Sequence, residues 1–146
     1  MLHSHTKIWI HIIWGTKNHE RLMFDEAAKQ IHEHFIDKST ELEIPIETLR
    51  VQPEHIHTLI NLPSNQLLAD YMKNLKGESS SWINKNNLFT TKFSWQRGFG
   101  AFSVSASNHD QVKNYIKNQD EHHRRKTFKE EYEEWQKKYG VFSEQI

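Results

Sequence analysis

Residues 8–14, IWIHIIW, form a near-continuous apolar run broken by a single histidine, His11. Such a run suits a central β-strand buried on both faces. Residues 15–20 leave it as a loop. Asp25 is placed to cap a helix that runs to about residue 42, because Ala28, Ile31, Phe35 and Leu42 then share one face. Residues 46–51 and 56–62 predict two strands. Gln52-Pro53-Glu54 separates them, since proline cannot donate to a sheet ladder. Ser64 or Asn65 is expected to cap a second helix with Leu68, Met72, Leu75 and Ile83 inward, ending at Asn86-Asn87. Lys73, Lys76 and Ser80 lie along a different stripe of that helix.

Beyond Phe93 and Trp95, Arg97-Gly98-Phe99-Gly100 predicts a turn or bulge, the two glycines supplying backbone freedom. Residues 101–105 read as a further strand. Ser107 or Asn108 is expected to cap a third helix containing Val112, Tyr115, Ile116 and Gln119. A basic stretch, His122-His123-Arg124-Arg125-Lys126, leads into a last amphipathic helix over about residues 126–140. There Phe128, Tyr132, Trp135 and Tyr139 recur four, three and four apart, and Gly140 is the stop. The order strand-helix-strand-strand-helix-strand is that of an α+β, ferredoxin-like sandwich with an antiparallel sheet, here with extra C-terminal helices. In that layout the first and third strands lie side by side at the centre.

The chain of 146 residues is read as a single domain, residues 1–146, large enough for its own core. Basic and acidic residues balance at 19 each, so nucleic-acid binding would rest on local patches rather than overall charge. The absence of cysteine excludes disulfide scaffolds, thiolate zinc sites and cysteine nucleophiles. The N-terminal apolar run is too short to span a bilayer and lacks the marks of a signal peptide, which suggests a soluble cytoplasmic protein.

The chemistry centres on His55-Ile56-His57. On a strand, His55, His57 and Leu59 share one face while Ile56, Ile60 and Leu62 share the other. Two imidazoles so placed can converge on one cation. On spacing alone the favoured reading is two histidines on a solvated sheet face, since the chain holds 11 histidines and chance pairs are common. His32 with His34, and His122 with His123, are poorer pairs because neighbours one or two apart on a helix do not face each other. Tyr115 and Gln119, four apart, share a helix face, although Tyr115 flanked by Val112 and Ile116 also reads as a core aromatic. Lys73, Lys76, Arg97, Arg124, Arg125 and Lys126 are candidate phosphate contacts. Trp95 and Phe99 are candidates for stacking on unpaired bases. Each of these also has an ordinary surface or core reading.

IWIHIIWGTKN, QPEHIHTLINLP, LKGESSSWI, WQRGFGAFSVS and NYIKNQDEHHRRKTFKEEY occur in this order along the chain. In this the chain resembles the single-tyrosine HUH transposases of small bacterial insertion sequences, the IS200-like family, and their relatives associated with repetitive extragenic palindromes (REP). The resemblance spans roughly residues 7–140. It implies that His55 and His57 hold a divalent metal, Mg2+ or Mn2+, with Gln119 as a polar third ligand. It implies that Tyr115, on a C-terminal helix, attacks a phosphodiester in single-stranded DNA beside a hairpin and forms a 5′-phosphotyrosine. It further implies a homodimer, in which the tyrosine of one subunit can work with the metal of the other, and no small-molecule cofactor. Glu54 departs from the aspartate commoner at that position but keeps the charge. Three other functions fit parts of the pattern: a catalytically idle hairpin-binding relative, a metal hydrolase using the histidine pair with bound water, and a structural dimer without chemistry.

Overall fold

The computed structural model describes residues 4–122 and 126–140. Its strands are β1 (Trp9–Gly15), β2 (Ile46–Val51), β3 (His55–Asn61) and β4 (Gly100–Val104). Its helices are α1 (Asp25–Glu41), α2 (Leu68–Lys85), α3 (His109–Lys117), α4 (Gln119–His122) and α5 (Phe128–Lys138). The strands form one antiparallel sheet in the order β2-β3-β1-β4, which is the ferredoxin-like arrangement. β3 therefore lies beside β1 at the centre, with Gly15 opposite His55 and Ile13 opposite His57.

Alternation along β1 and β3 divides the interior into two cores. Ile12, Trp14, Ile56 and Ile60 pack with Ile31 and Phe35 of α1 and with Tyr71, Met72, Leu75 and Ile83 of α2. On the opposite face, Ile13, Leu59 and Phe102 pack with Val112 and Ile116 of α3 and with Phe128 and Trp135 of α5. Fully burying a side chain such as Phe128 contributes about 1.5–3 kcal/mol, so the aromatic stripe of α5 is enough to hold that helix on the sheet. Gly140, at φ +71, follows it as expected.

Several local expectations change. Asp25 does not cap α1: it is the first helical residue, at φ +46, and Phe24 is the N-cap with no side-chain bond. Ser64 and Asn65 lie upstream of α2, whose N-cap is Leu67. Asn108 stands at the N-cap of α3 but makes no capping hydrogen bond. Gln119 is not on the same helix as Tyr115. α3 ends at Lys117, Asn118 breaks the φ/ψ pattern, and Gln119 opens α4. The Gln119 amide turns inward and donates to the Tyr115 carbonyl at 3.4 Å, one of the acceptors that the ending helix releases.

Two polar clusters dock the α3–α4 unit against the sheet edge. At its start, His109 Nε2 binds Glu47 of β2 at 2.5 Å, and Trp9 Nε1 donates to the other Glu47 oxygen at 3.1 Å. At its end, Asp120 accepts from Arg50 and from Gln52, the latter at 3.0 Å.

Candidate active site

β3 carries His55 and His57 to the face covered by α3 and α5, and both are fully buried. The solvated-face reading of the pair is therefore wrong. The C-terminal helices make a third layer over a face that would be open in a two-layer sandwich. Phe128 lies flat on His55, ring centroids 4.2 Å apart and planes inclined by 12°. Gly15 makes room for this, since a Cβ there would stand 2.9 Å from the Phe128 ring.

The ring nitrogens have defined partners. His55 Nδ1 lies 2.7 Å from Glu54 Oε1, and Arg21 binds the other oxygen of that carboxylate. His55 Nε2 then faces Gln119 Oε1 and Glu131 Oε1, each at 3.4 Å. His57 Nε2 lies 2.8 Å from the same Glu131 oxygen, and its Nδ1 lies 2.8 Å from Nε2 of His11. The second Glu131 oxygen accepts the Tyr115 hydroxyl at 2.5 Å, and Trp135 Nε1 donates to that hydroxyl at 3.2 Å. One carboxylate thus joins the histidine pair to the tyrosine, all within a single chain.

Electrostatics follow from burial and these contacts. Burial, then the charge and hydrogen bond of Glu131, pushes the Tyr115 phenol above its ordinary range. Left to itself it is a poor nucleophile. Burial, reinforced by His57, holds His11 well below the usual imidazole value, so His11 is neutral. At His55 burial acts downward, but the hydrogen bonds to Glu131 and Glu54 outweigh it and the net shift is upward.

Among the described residues, His55, His57 and Glu131 offer ligand atoms all within 4.8 Å of one another and can hold a metal ion. Two imidazoles and a carboxylate without thiolate suit a divalent cation of intermediate hardness. Sequence reasoning reached two of these three residues, His55 and His57, and also Tyr115 and Gln119, whose Oε1 lies 3.4 Å from His55 Nε2. It missed Glu131, although an acidic residue three after Phe128 and four before Trp135 falls on the aromatic stripe. It also passed over His11, whose interruption of the first apolar run was visible.

A profile of the IS200-like transposase family matches residues 4–119. The chain belongs to the IS200-like transposase family. Its activity is accordingly the cleavage and joining of DNA. The ISDra2 transposase TnpA of Deinococcus radiodurans is 25% identical over 115 residues, covering 75% of this chain and 81% of that protein. A candidate transposase from D. radiodurans R1 has a crystal structure that superposes with a TM-score of 0.67 at 24% identity, over 82% of this chain and 95% of that one. A REP-associated tyrosine transposase solved with a REP hairpin gives 0.64 at 17% identity, over 84% and 73%. These two likenesses support the shared fold.

The basic residues of the transposase divide into groups. Lys73, Lys76 and Arg97 line one groove of about 500 Å³ with Trp95 and Phe99, between α2 and the turn before β4. Lys76 is tied into that turn, donating to the carbonyls of Gln96 at 2.8 Å and Gly98 at 2.6 Å. Gly98 itself sits at φ +77, where a side chain is strained. Trp95 packs edge-on to Phe93 and Trp14 and donates to Ser79, so much of it serves the core. Lys126 pairs with Glu134 at 2.7 Å. Arg124, Arg125 and His123 lie outside the described residues. His34 stacks on Trp82 and binds Glu78, joining α1 to α2 rather than a metal. No described helix is long and apolar enough to cross a membrane.

Proposed function

We propose that this transposase cleaves single-stranded DNA beside a hairpin, with Tyr115 as the nucleophile. The observation that carries this reading is the approach of the Tyr115 hydroxyl to the buried His55–His57 pair through one shared carboxylate. The Tyr115 oxygen bonds to phosphorus as the bond from phosphorus to the 3′ oxygen breaks. The phenol proton passes by way of solvent to the released 3′ oxygen, leaving a 5′-phosphotyrosine and a free 3′-hydroxyl. Attack by a 3′-hydroxyl on that linkage reverses the step and joins strands without an external energy source. A divalent cation, Mg2+ or Mn2+, held by His55, His57 and Gln119 would polarise the phosphate and stabilise the charge developing on the leaving oxygen.

His55 is oriented for this role by Glu54, and His57 by His11, each partner holding the ring nitrogen that faces away from the site. Lys73, Lys76 and Arg97 are proposed to follow the DNA backbone along their shared groove, with Arg124, Arg125 and Lys126 as further phosphate contacts. Lys76 and Lys126 already have intramolecular partners, so Lys73 and Arg97 are the stronger pair. The hairpin preference is supported by the REP-hairpin complex of the structural relative. A homodimer remains the proposed assembly by family resemblance, with each subunit able to supply its own Tyr115 to its own histidine pair.

The test is covalent trapping. End-labelled single-stranded hairpins with flanking DNA are incubated with protein and Mn2+ or Mg2+ and run on denaturing gels. A metal-dependent protein–DNA band in wild type, lost in Tyr115→Phe and His57→Ala, is the expected result. Cleavage without an adduct, unchanged in Tyr115→Phe, would refute tyrosine attack and leave a metal hydrolase. Hairpin binding on native gels without cleavage would leave a binding protein.

A further inference from the structure

We propose that Glu131 is a ligand of the divalent metal and at the same time positions Tyr115, so that α5 forms a wall of the active site. The inference rests on the function proposed above and adds to it a residue outside the stretch that the family profile matches.

Charge is the first argument. Imidazole and amide ligands are neutral, and a doubly charged ion enclosed by His55, His57 and Gln119 needs anionic compensation. Those three side chains are fully buried. The Glu54 carboxylate meets His55 at the Nδ1 that faces away from the site, and the carboxylate on the Nε2 side of both histidines is Glu131, itself 2% exposed. Geometry is the second. Ligands at right angles around bonds of 2.0–2.2 Å stand about 3 Å apart. Glu131 Oε1 lies 2.8 Å from His57 Nε2 and 3.4 Å from His55 Nε2, bracketing that value with one oxygen. The third argument is the use of the remaining oxygen, which accepts the Tyr115 hydroxyl at 2.5 Å. Trp135, one turn further along α5, donates to the same hydroxyl, so the helix grips the nucleophile from two positions.

Position in the helix explains how an acidic residue comes to be buried here. Glu131 falls between Phe128, stacked on His55, and Trp135, which meets His11 edge-on at 4.6 Å. The aromatic residues on either side seat the helix, and the carboxylate enters the polar gap that the histidines leave between them.

The experiment measures Mn2+ binding without DNA, by electron paramagnetic resonance and calorimetry, for wild type, Glu131→Gln, Glu131→Asp and Gln119→Ala. Adduct formation is then followed at saturating hairpin DNA, and thermal unfolding checks that each variant folds. Glu131→Gln keeps the shape and removes the charge. It is expected to weaken Mn2+ binding by about tenfold or more and to slow the adduct step with little change in the DNA concentration needed for half-maximal rate. Glu131→Asp should recover part of both, and Gln119→Ala should cost less Mn2+ affinity than Glu131→Gln. Mn2+ binding and adduct rate equal to wild type in Glu131→Gln would overturn the proposal while leaving the tyrosine mechanism intact. Faster adduct formation in Glu131→Gln would also overturn it, making Glu131 a plug that the substrate must displace. A wild type that neither binds Mn2+ nor forms an adduct removes this proposal together with the function on which it rests.

Discussion

Gly15 gives a quantitative test of how α5 is seated over the histidines. An alanine Cβ at this position would lie 2.9 Å from Phe128 Cε2, 3.0 Å from Gln96 Oε1 and 3.2 Å from the Glu54 carbonyl oxygen. Gln96 can swing away. The Glu54 carbonyl cannot easily do so, because it accepts the Thr16 backbone N–H at 2.9 Å. Phe128 is confined as well, stacked on His55 on one side and edge-on to His19 at 5.0 Å on another. Forcing one extra methyl into such packing costs about 1–3 kcal/mol. Unfolding entropy is about 2.1 cal/mol/K per residue, which for a chain of this length is roughly 0.3 kcal/mol/K. Gly15→Ala should therefore lower Tm by about 3–10 °C. Thermal unfolding followed by circular dichroism measures this, and a cycle with Phe128→Ala assigns it. In the Phe128→Ala background the shortest contact is gone, so the alanine penalty should fall by about 1 kcal/mol or more. Strict additivity of the two changes, or a Gly15→Ala variant as stable as wild type, would refute the packing of Phe128 on the His55 ring.

Other outcomes follow from the same contacts. Tyr115→Phe should abolish the covalent adduct and also cost about 1–3 kcal/mol in urea unfolding, because the buried Trp135 N–H loses its acceptor; unchanged stability would show that the hydroxyl is not held. Hydrogen bonds to Glu47 and Asp110 raise His109 above its ordinary pKa, so this stabilisation is complete below about pH 6.5 and is lost as pH rises through the raised value. Glu47→Gln should accordingly lower Tm at about pH 5.5 and much less at about pH 9; an equal loss at both would refute the ionic latch. Lys76→Met should destabilise the Gln96–Gly98 turn, seen as faster amide exchange there, whereas the exposed Lys73→Met should leave exchange unchanged and only weaken DNA binding.

Period and punctuation alone mark out most of the architecture. The near-continuous apolar run IWIHIIW, the face-sharing of His55 and His57 in HIHTLI and the helical spacing of the apolar residues of α1, α2 and α5 are local properties. They survive because burial demands those periods whatever the partner element is. The placement of His55 and His57 on one face of a central strand follows from strand alternation, and Tyr115 on the third helix is recognisable from the motif around it. Helix starts were less legible. Asp25, Ser64 and Asn65 have capping chemistry, yet the tertiary path of the chain set where α1 and α2 begin, since a cap is worth only about 1 kcal/mol and packing exceeds it. The same is true of the break after Lys117 that brings the Gln119 amide inward.

The enclosed state of the histidines and the identity of their acidic neighbour arise only in three dimensions. His57 and Glu131 are separated by 74 residues, and no local pattern states that α5 folds back over β3. An acidic residue on an aromatic stripe reads as a misplaced surface charge until the opposing imidazoles and the Tyr115 hydroxyl are in place. A buried carboxylate is tolerable only where donors converge on it, and that convergence is a property of packed elements rather than of neighbouring positions in the chain.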